Sequence, residues 1–482
     1  MTRPAEPYFL ALDQGGHSNR ALVFSADGEV IARAQIAVDT RFPHPGWAEQ
    51  EGDTLVASLR AVVAEVHAAL GARAQHVRAA GLATQRSNCI CWDRNDGHAL
   101  SPAMSWQDRR AQAWLEKLPL DDAWLHARTG LYRSPHYGAS KLRWCLDRLP
   151  AVREAAIDGR LACGPLASYL IANLLQQRPA LIDPANAARS LLWNLRERDW
   201  DVELLKLFGI ERGYLPHTAP TRYDYGTLAW GDSTLPLRVL TGDQSAALYA
   251  DGQPRTDTLY INLGTGAFLQ RPVPAWPSPP EGMLASIVYA DAARADYVLE
   301  ATVNGAGTAL DWARDRLGIH AIEAQLAHWL RKDSEIPLFL NGIAGLGSPW
   351  WRADFVSRFI GQDENCSEPW AQAVAVAESI VFLIVENLQR LQGDLPVQRI
   401  HVTGGLAQLD GLCQRLADVS GLPLLRSTQP EATARGVAWL LADAEGLGWH
   451  DSDGELFAPQ PNPACVARYR RWCDAMRQAL RD

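Results

Sequence analysis

Ala11-Leu12-Asp13-Gln14-Gly15-Gly16-His17-Ser18-Asn19-Arg20-Ala21-Leu22-Val23-Phe24 is the stretch on which the reading of this chain turns. The apolar run Tyr8 to Leu12 predicts a buried strand, and it ends in an acidic residue and two glycines. A second apolar run follows, then the turn Ala26-Asp27-Gly28 and a third run from Glu29 to Val38. Strand, glycine turn and strand make a hairpin that can set bare backbone amides against an anion. A carboxylate at the strand end can hold a hard cation such as Mg²⁺ beside that anion. The pattern points to a nucleotide phosphate site, although for this segment alone a plain β-hairpin is the simpler reading.

The corner is repeated. Leu259 to Leu263 is another short apolar run, followed by Gly264-Thr265-Gly266 and then Ala267-Phe268-Leu269. Ile400-His401-Val402-Thr403-Gly404-Gly405 is a third strand ending in glycines. Three such corners in one chain can surround one nucleotide. No G-x-x-x-x-G-K-[ST] occurs, so the site is not a P-loop. The four lysines (Lys117, Lys141, Lys206, Lys332) all lie outside the glycine corners. Phosphate charge is left to amides, Mg²⁺ and Arg20.

A chain of 482 residues is too long for one ordinary core and predicts at least two domains. Hydrophobic residues make up 47% and charged residues 21%, the balance of a globular protein. A net charge of −9 without a basic run argues against a nucleic-acid partner. No stretch approaches the ~20 uninterrupted apolar residues of a membrane span. Met1 to Pro7 runs straight into a strand with no signal-peptide pattern. Of the eight cysteines, Cys89 and Cys91 are the one close pair. C-x-C without a second pair is poor for zinc, and reduced thiols in a cytoplasmic protein are the expectation.

Helical and strand patterns alternate, which predicts an α/β architecture. Leu55, Leu59, Val62, Val63, Val66 and Leu70 predict an amphipathic helix over 53–70. Ala79 to Trp92 reads as a strand pair around a polar centre. Further helices are expected over 370–391, 409–419 and 465–480. Pro272 to Pro280 reads as a surface excursion. The best boundary lies near Thr241-Gly242-Asp243, giving halves that each begin with a strand-hairpin unit.

The order of these pieces resembles the FGGY family of carbohydrate kinases, and its glycerol kinase branch most closely, from about Tyr8 to Leu441. The matching stretches in the first half are Asp13-Gln14-Gly15, Pro45-Gly46-Trp47-Ala48-Glu49-Gln50, Thr84-Gln85-Arg86, Trp106-Gln107-Asp108-Arg109-Arg110, Lys141-Leu142-Arg143-Trp144 and Asn186-Ala187-Ala188-Arg189. In the second half they are Gly242-Asp243-Gln244-Ser245-Ala246-Ala247-Leu248, Gly264-Thr265-Gly266-Ala267-Phe268, Gly345-Leu346-Gly347-Ser348-Pro349 and Gly404-Gly405. The resemblance implies two actin-like (ribonuclease-H-like) domains with an interdomain cleft. An N-terminal domain over 1–242 would carry the sugar site and first phosphate loop. A C-terminal domain over 243–482 would carry the second phosphate loop and the adenosine site.

It further implies an ATP-dependent kinase of a small polyol or ketose, using Mg²⁺, cytoplasmic, and a homodimer or homotetramer. Asp243 matches the catalytic base, with a helix N-cap as its structural alternative. Asp13 matches the metal carboxylate. Arg86 and Gln244 match hydroxyl ligands. Trp106 and Phe268 match the aromatic walls, for which plain core packing is the alternative. Gly15, Gly16, His17, Ser18 and Arg20 fall on the first phosphate loop; Gly264, Thr265, Gly307, Asp311, Gly404, Gly405 and Leu409 fall on the second loop and adenosine site.

Several positions depart from the family pattern. Gly16 and His17 stand where two threonines are usual. Ser87 stands where glycerol kinases carry a glycerol-binding glutamate, and His136 stands where a tyrosine is expected. Leu409 replaces an asparagine near adenine, Asp311 a glutamine, and Arg352 an aspartate. Changed hydrogen-bonding partners predict a changed acceptor, a longer polyol or a ketose. A catalytically silent relative acting as a sugar-responsive binding or regulatory protein is the competing reading. Retention of Asp13 and Asp243 counts against it. A sugar-binding module without nucleotide fits poorly with three glycine corners.

Overall fold

A computed structural model describes residues 7–276, 278–331, 335–360, 368–393, 395–429, 431–449 and 454–481. The chain forms two compact units. The first holds the residues up to Pro254, Ser286–Tyr297 and the segment beginning at Glu431. The second holds Arg255–Ala285, the chain from Val298 to Gln429, and the described residues from Gly454 on.

In the first unit, the hairpin of β1 (Tyr8–Gln14) and β2 (Ser18–Ser25) is extended by β3 (Val30–Ala37). With β4 (Val77–Thr84), β5 (Arg222–Trp230) and β6 (Ser233–Gly242) they form a six-stranded sheet of order β5-β6-β4-β1-β2-β3. Strands β1, β4 and β6 run parallel. Their register sets Asp13 beside Ala83 and Ala83 beside Thr241, so all three strands end at the same level.

Helix α1 (Gly52–Leu70) buries Leu55, Leu59, Val62, Val63 and Val66, the apolar stripe predicted for it, against β2 and β3. The Ala432–Asp443 helix packs against β1 and β4. Gly436 on that helix sits so close to the short helix Asp243–Ala247 that a Cβ would come within 1.8 Å of the Ala246 carbonyl oxygen. That packing holds residues just beyond Gly242 in the first unit. The compact unit therefore extends past a single cut at 242/243 and takes two later segments with it.

One sequence expectation fails here. Residues 79–92 do not form a strand pair, because β4 lies in the six-stranded sheet while Cys89–Asp93 lies in a separate four-stranded sheet with Glu49–Gln50, Ala103–Met104 and Leu161–Pro165. Ser87, with φ of +68°, turns the chain from one sheet to the other.

The second unit repeats the plan. Strands β7 (Thr258–Leu263) and β8 (Ala267–Val273) form an antiparallel hairpin. With β9 (Leu284–Ala290) and β10 (Ala295–Val303), whose residues Ser286–Tyr297 count with the first unit, and with β11 (Arg399–Thr403), β12 (Leu424–Ser427) and β13 (Gly454–Phe457), they form a seven-stranded sheet of order β9-β10-β8-β7-β11-β12-β13. Strand β11 runs parallel to β7, with Thr403 beside Asn262. The long helix Pro369–Leu391 and the helices Asp410–Ser420 and Pro463–Ala479 lie within two residues of the predicted bounds. Gly52–His76 and Pro369–Leu391 are long and apolar enough to cross a membrane. Pro369–Leu391 is nearly all buried and carries Glu378 inward, the position of a core helix.

Candidate active site

The first unit brings Asp13, Arg86 and Asp243 to one edge, because they stand at or just beyond the aligned ends of β1, β4 and β6. Ligands of α/β sheets are commonly met at the carboxyl ends of parallel strands. Gly242 caps the helix that follows β6, and Asp243 is its first residue rather than its cap. One Asp243 oxygen accepts from the Gln244 amide at 2.7 Å. Arg86 donates to the Gln244 side-chain oxygen. Its stem crosses Gly242 so closely that a Cβ there would meet Arg86 Cγ at 2.5 Å. A glycine is required for the arginine to reach. Burial pushes the Asp243 carboxyl above the ordinary aspartate range, and the Arg86 charge opposes the shift.

Asp13 is 3% exposed, and burial raises its pKa to about 6. Arg20, its neighbour across the hairpin, opposes that shift, and the negative charge of Asp243 adds to it. Arg20 also reaches Glu431 at 2.5 Å, so two carboxylates hold the residue expected to touch phosphate. In the hairpin turn, the Gly15 amide donates to the Ser18 carbonyl at 3.0 Å and is not bare as expected. The His17 side chain is exposed while its carbonyl accepts from Val38 at 2.9 Å. Gly16 packs on Gln85, where a Cβ would lie 2.9 Å from Nε2.

Beside Arg86, Ser87 is 4% exposed and its hydroxyl has no protein partner. A buried hydroxyl left unpaired is costly, and strained backbone gathers at functional sites. The Trp106 amide donates to the Asn88 side chain at 2.7 Å, and the Trp106 ring faces His136 with centroids 5.5 Å apart. Burial, with Lys141, Arg189, Arg86 and Arg109 nearby, holds His136 well below its usual pKa, so it stays neutral.

The second unit gathers the other two corners. The Gly307 amide donates to Gly264 O at 3.0 Å and the Thr308 amide to Thr265 O at 3.1 Å. A Cβ on Gly307 would meet Gly264 O at 2.8 Å. Gly404, with φ of +96°, lies against Leu263, whose carbonyl oxygen would be 2.4 Å from a Cβ. Gly264, Thr265, Gly307, Gly404 and Gly405 thus form one group, with Thr265, Gly404 and Gly405 exposed. Phe268 is half-buried on β8 opposite Asn262. Asp311 is exposed and paired with Arg314 at 2.6 Å, and Leu409 is buried at the start of the Asp410–Ser420 helix.

The sequence pattern of the FGGY family of carbohydrate kinases, N-terminal domain, matches residues 8–248, and that of its C-terminal domain matches residues 259–444. The chain belongs to the FGGY family of carbohydrate kinases. The chain is accordingly an ATP-dependent phosphotransferase. A glycerol kinase of Trichlorobacter lovleyi is 36% identical over 458 residues, covering 92% of this chain and 91% of its own. The structure of a glycerol kinase of Plasmodium falciparum with ADP superposes with a TM-score of 0.88 at 22% identity, covering 98% of each chain. A xylulose kinase of Rhodospirillum rubrum superposes with a TM-score of 0.86 at 22% identity, again covering 98% of each. These two likenesses establish the FGGY kinase fold.

Sequence reasoning missed two residues of this FGGY kinase. Glu431 was invisible because it is 411 residues from Arg20. Lys141 stands out in the sequence only through the Lys141-Leu142-Arg143-Trp144 stretch. A lone lysine on an otherwise buried helix face was the available signal.

Proposed function

We propose that this carbohydrate kinase transfers the terminal phosphoryl group of ATP to a hydroxyl of a small polyol or ketose, with Asp243 as base. The observation that carries the reading is the register that sets Asp13, Arg86 and Asp243 at one sheet edge. Asp243 takes the hydroxyl proton as the acceptor oxygen bonds to phosphorus and the bond to the departing ADP oxygen breaks. Its raised pKa, from burial, makes it a stronger base than an exposed aspartate. Arg86 and Gln244, already bonded to each other, orient the acceptor hydroxyls. Trp106, in the same unit, supplies an apolar wall.

The group formed by Gly264, Thr265, Gly307, Gly404 and Gly405 would hold the nucleotide: Gly307 and Gly404 let the backbones of the two corners pack directly against each other, and Thr265, Gly404 and Gly405 stay exposed. Among the described residues, no three His, Cys, Asp or Glu side chains form a metal cage. Mg²⁺ needs none, because it keeps waters and phosphate oxygens and takes one or two carboxylates. Asp13, buried beside a second carboxylate, fits that part. The ion would supply charge neutralisation for the phosphates.

The acceptor is read as larger than glycerol. Ser87 is shorter than the glutamate of glycerol kinases and leaves space beside Arg86. Relatives named glycerol kinases keep glycerol in the set to test. The test is a coupled ADP-release screen over glycerol, C4 to C7 polyols and ketoses including xylulose. Turnover of a C4 to C7 acceptor above glycerol is expected. Preference for glycerol over every longer acceptor overturns the specificity, and turnover of none overturns the function.

A further inference from the structure

Lys141 lies in the helix Gly138–Arg148 of the first unit and is 0% exposed. A fully buried ammonium is costly unless every N–H is bonded. Its Nζ donates to three backbone carbonyls: Ser87 at 2.9 Å, Ser105 at 2.9 Å and His136 at 2.8 Å. An ammonium has three donors, and three acceptors meet them.

The carbonyls come from three separate segments. Ser87 and His136 are themselves acceptor-site residues in the reading above, and Ser105 immediately precedes Trp106. The nearby carboxylate of Asp108 does not explain the lysine. Its oxygens accept from Arg110 Nε at 3.0 and 2.9 Å, from Arg110 Nη2 at 2.7 Å and from the Ala48 amide at 2.8 Å. One group thus ties together the backbone that presents Ser87, Trp106 and His136.

We propose that Lys141 is a positioning residue that fixes the spacing of Ser87, Trp106 and His136 and so sets affinity for the phosphoryl acceptor. The assignment rests on the acceptor site described under Proposed function. It has a pH signature. Burial lowers the Lys141 pKa to about 8. The groups facing it are the thiols of Cys89 and Cys145, the Asp108 carboxylate, the Arg110 guanidinium and the neutral His136. Burial keeps the Cys89 thiol protonated up to about 12, and a hydrogen bond with Cys91 together with burial holds Cys145 well above its usual range, so neither titrates near pH 8. A neutral amine keeps two N–H donors, so one of the three carbonyls loses its partner as pH rises through that value.

The experiment takes whichever of glycerol, erythritol, xylitol, ribitol and xylulose the wild type phosphorylates fastest. KM for that acceptor, KM for ATP and kcat are measured from pH 6.5 to 9.5 in wild type, Lys141→Met and Lys141→Arg. In Lys141→Met the acceptor KM is expected to rise about tenfold or more, with the ATP KM within about twofold of wild type. Lys141→Arg, which keeps donors, is expected to lie between the two. The wild-type acceptor KM is expected to climb above pH ~8, and that climb is expected to vanish in Lys141→Met. If both variants fail to fold, the wild-type profile decides alone: a climb in acceptor KM supports the assignment and a flat profile overturns it. Turnover with an unmoved acceptor KM in Lys141→Met overturns the Lys141 assignment only. A wild type that phosphorylates none of the five overturns the acceptor reading and the assignment with it.

Discussion

Asp13 and Arg20 stand directly opposite each other on β1 and β2 and close an ion pair whose arginine also holds Glu431 at 2.5 Å. The pair favours the charged carboxylate and opposes the burial that raises the Asp13 pKa to about 6. Asp13→Ala should therefore leave Arg20 on Glu431 and remove the carboxylate proposed to meet Mg²⁺. The Mg²⁺ concentration for half-maximal turnover should rise by roughly ten- to a hundredfold. An unchanged Mg²⁺ titration at an unchanged rate would make Asp13 only a strand-end residue.

Asp243→Asn keeps the shape of the side chain and the capping geometry at Gly242, but cannot take a proton. Turnover should fall by about two to four orders of magnitude, the range of a general base, while acceptor binding and thermal stability hold. Wild-type turnover in this variant would remove Asp243 from the mechanism.

The same residue sets a pH dependence. A base works deprotonated, so activity is lost as pH falls through its pKa. Burial raises that pKa and Arg86 lowers it. The acid limb of kcat/KM should lie above the ordinary aspartate value of about 3.9. Arg86→Gln should move it higher still, besides weakening acceptor binding. A limb that stays in place, or moves down, in Arg86→Gln would show that another group controls it.

Ser87→Glu restores the carboxylate that glycerol kinases carry beside Arg86. Preference should move toward glycerol by roughly 1–3 kcal/mol if one buried hydrogen bond is regained, or about five- to 150-fold in the ratio of specificity constants. Ser87 sits at φ of +68°, and a glutamate there meets the same backbone strain. The ratio of kcat/KM for glycerol to that for the best longer acceptor, in wild type and variant, is the measurement. No movement in that ratio would separate Ser87 from specificity.

In the second unit, Arg468 makes a bidentate pair with the buried Glu378, at 2.7 and 2.6 Å. Removing Arg468 takes the close bidentate partner from a buried charge and leaves it the longer Arg415 contact, at 3.6 Å. Arg468→Met should cost about 3–5 kcal/mol in urea unfolding, and Glu378→Leu with Arg468→Met together should recover much of it. Equal losses in the single and double variants would contradict this account.

Local pattern made much of the fold legible. The hairpin around Gly15, the helix carrying Leu55 to Leu70 and the long Pro369–Leu391 helix follow from periodicity within a few residues. The split of residues 79–92 between two sheets was not legible, because it depends on the positive φ of Ser87, a residue that rarely adopts one. The resemblance singled out Asp13, Arg86 and Asp243, but their meeting depends on the register of three strands that lie far apart in sequence. Glu431 and the three carbonyls around Lys141 were hidden for a related reason. Ion pairs across hundreds of residues and bonds to backbone oxygens leave no mark in a local pattern.

The first unit is assembled from three stretches of chain, and the helix that packs on β1 and β4 comes from Ala432–Asp443. During synthesis, domains generally fold in order from the N-terminus. Here β1 and β4 leave the ribosome long before the Ala432–Asp443 helix that covers that face. A fragment ending at Pro254 would lack Val437, Leu440 and Leu441, which are buried in the full chain. It should aggregate or be held by chaperones during translation, although it contains Asp243, the proposed base. For this protein, dividing the gene at the midpoint of the sequence would not divide the molecule.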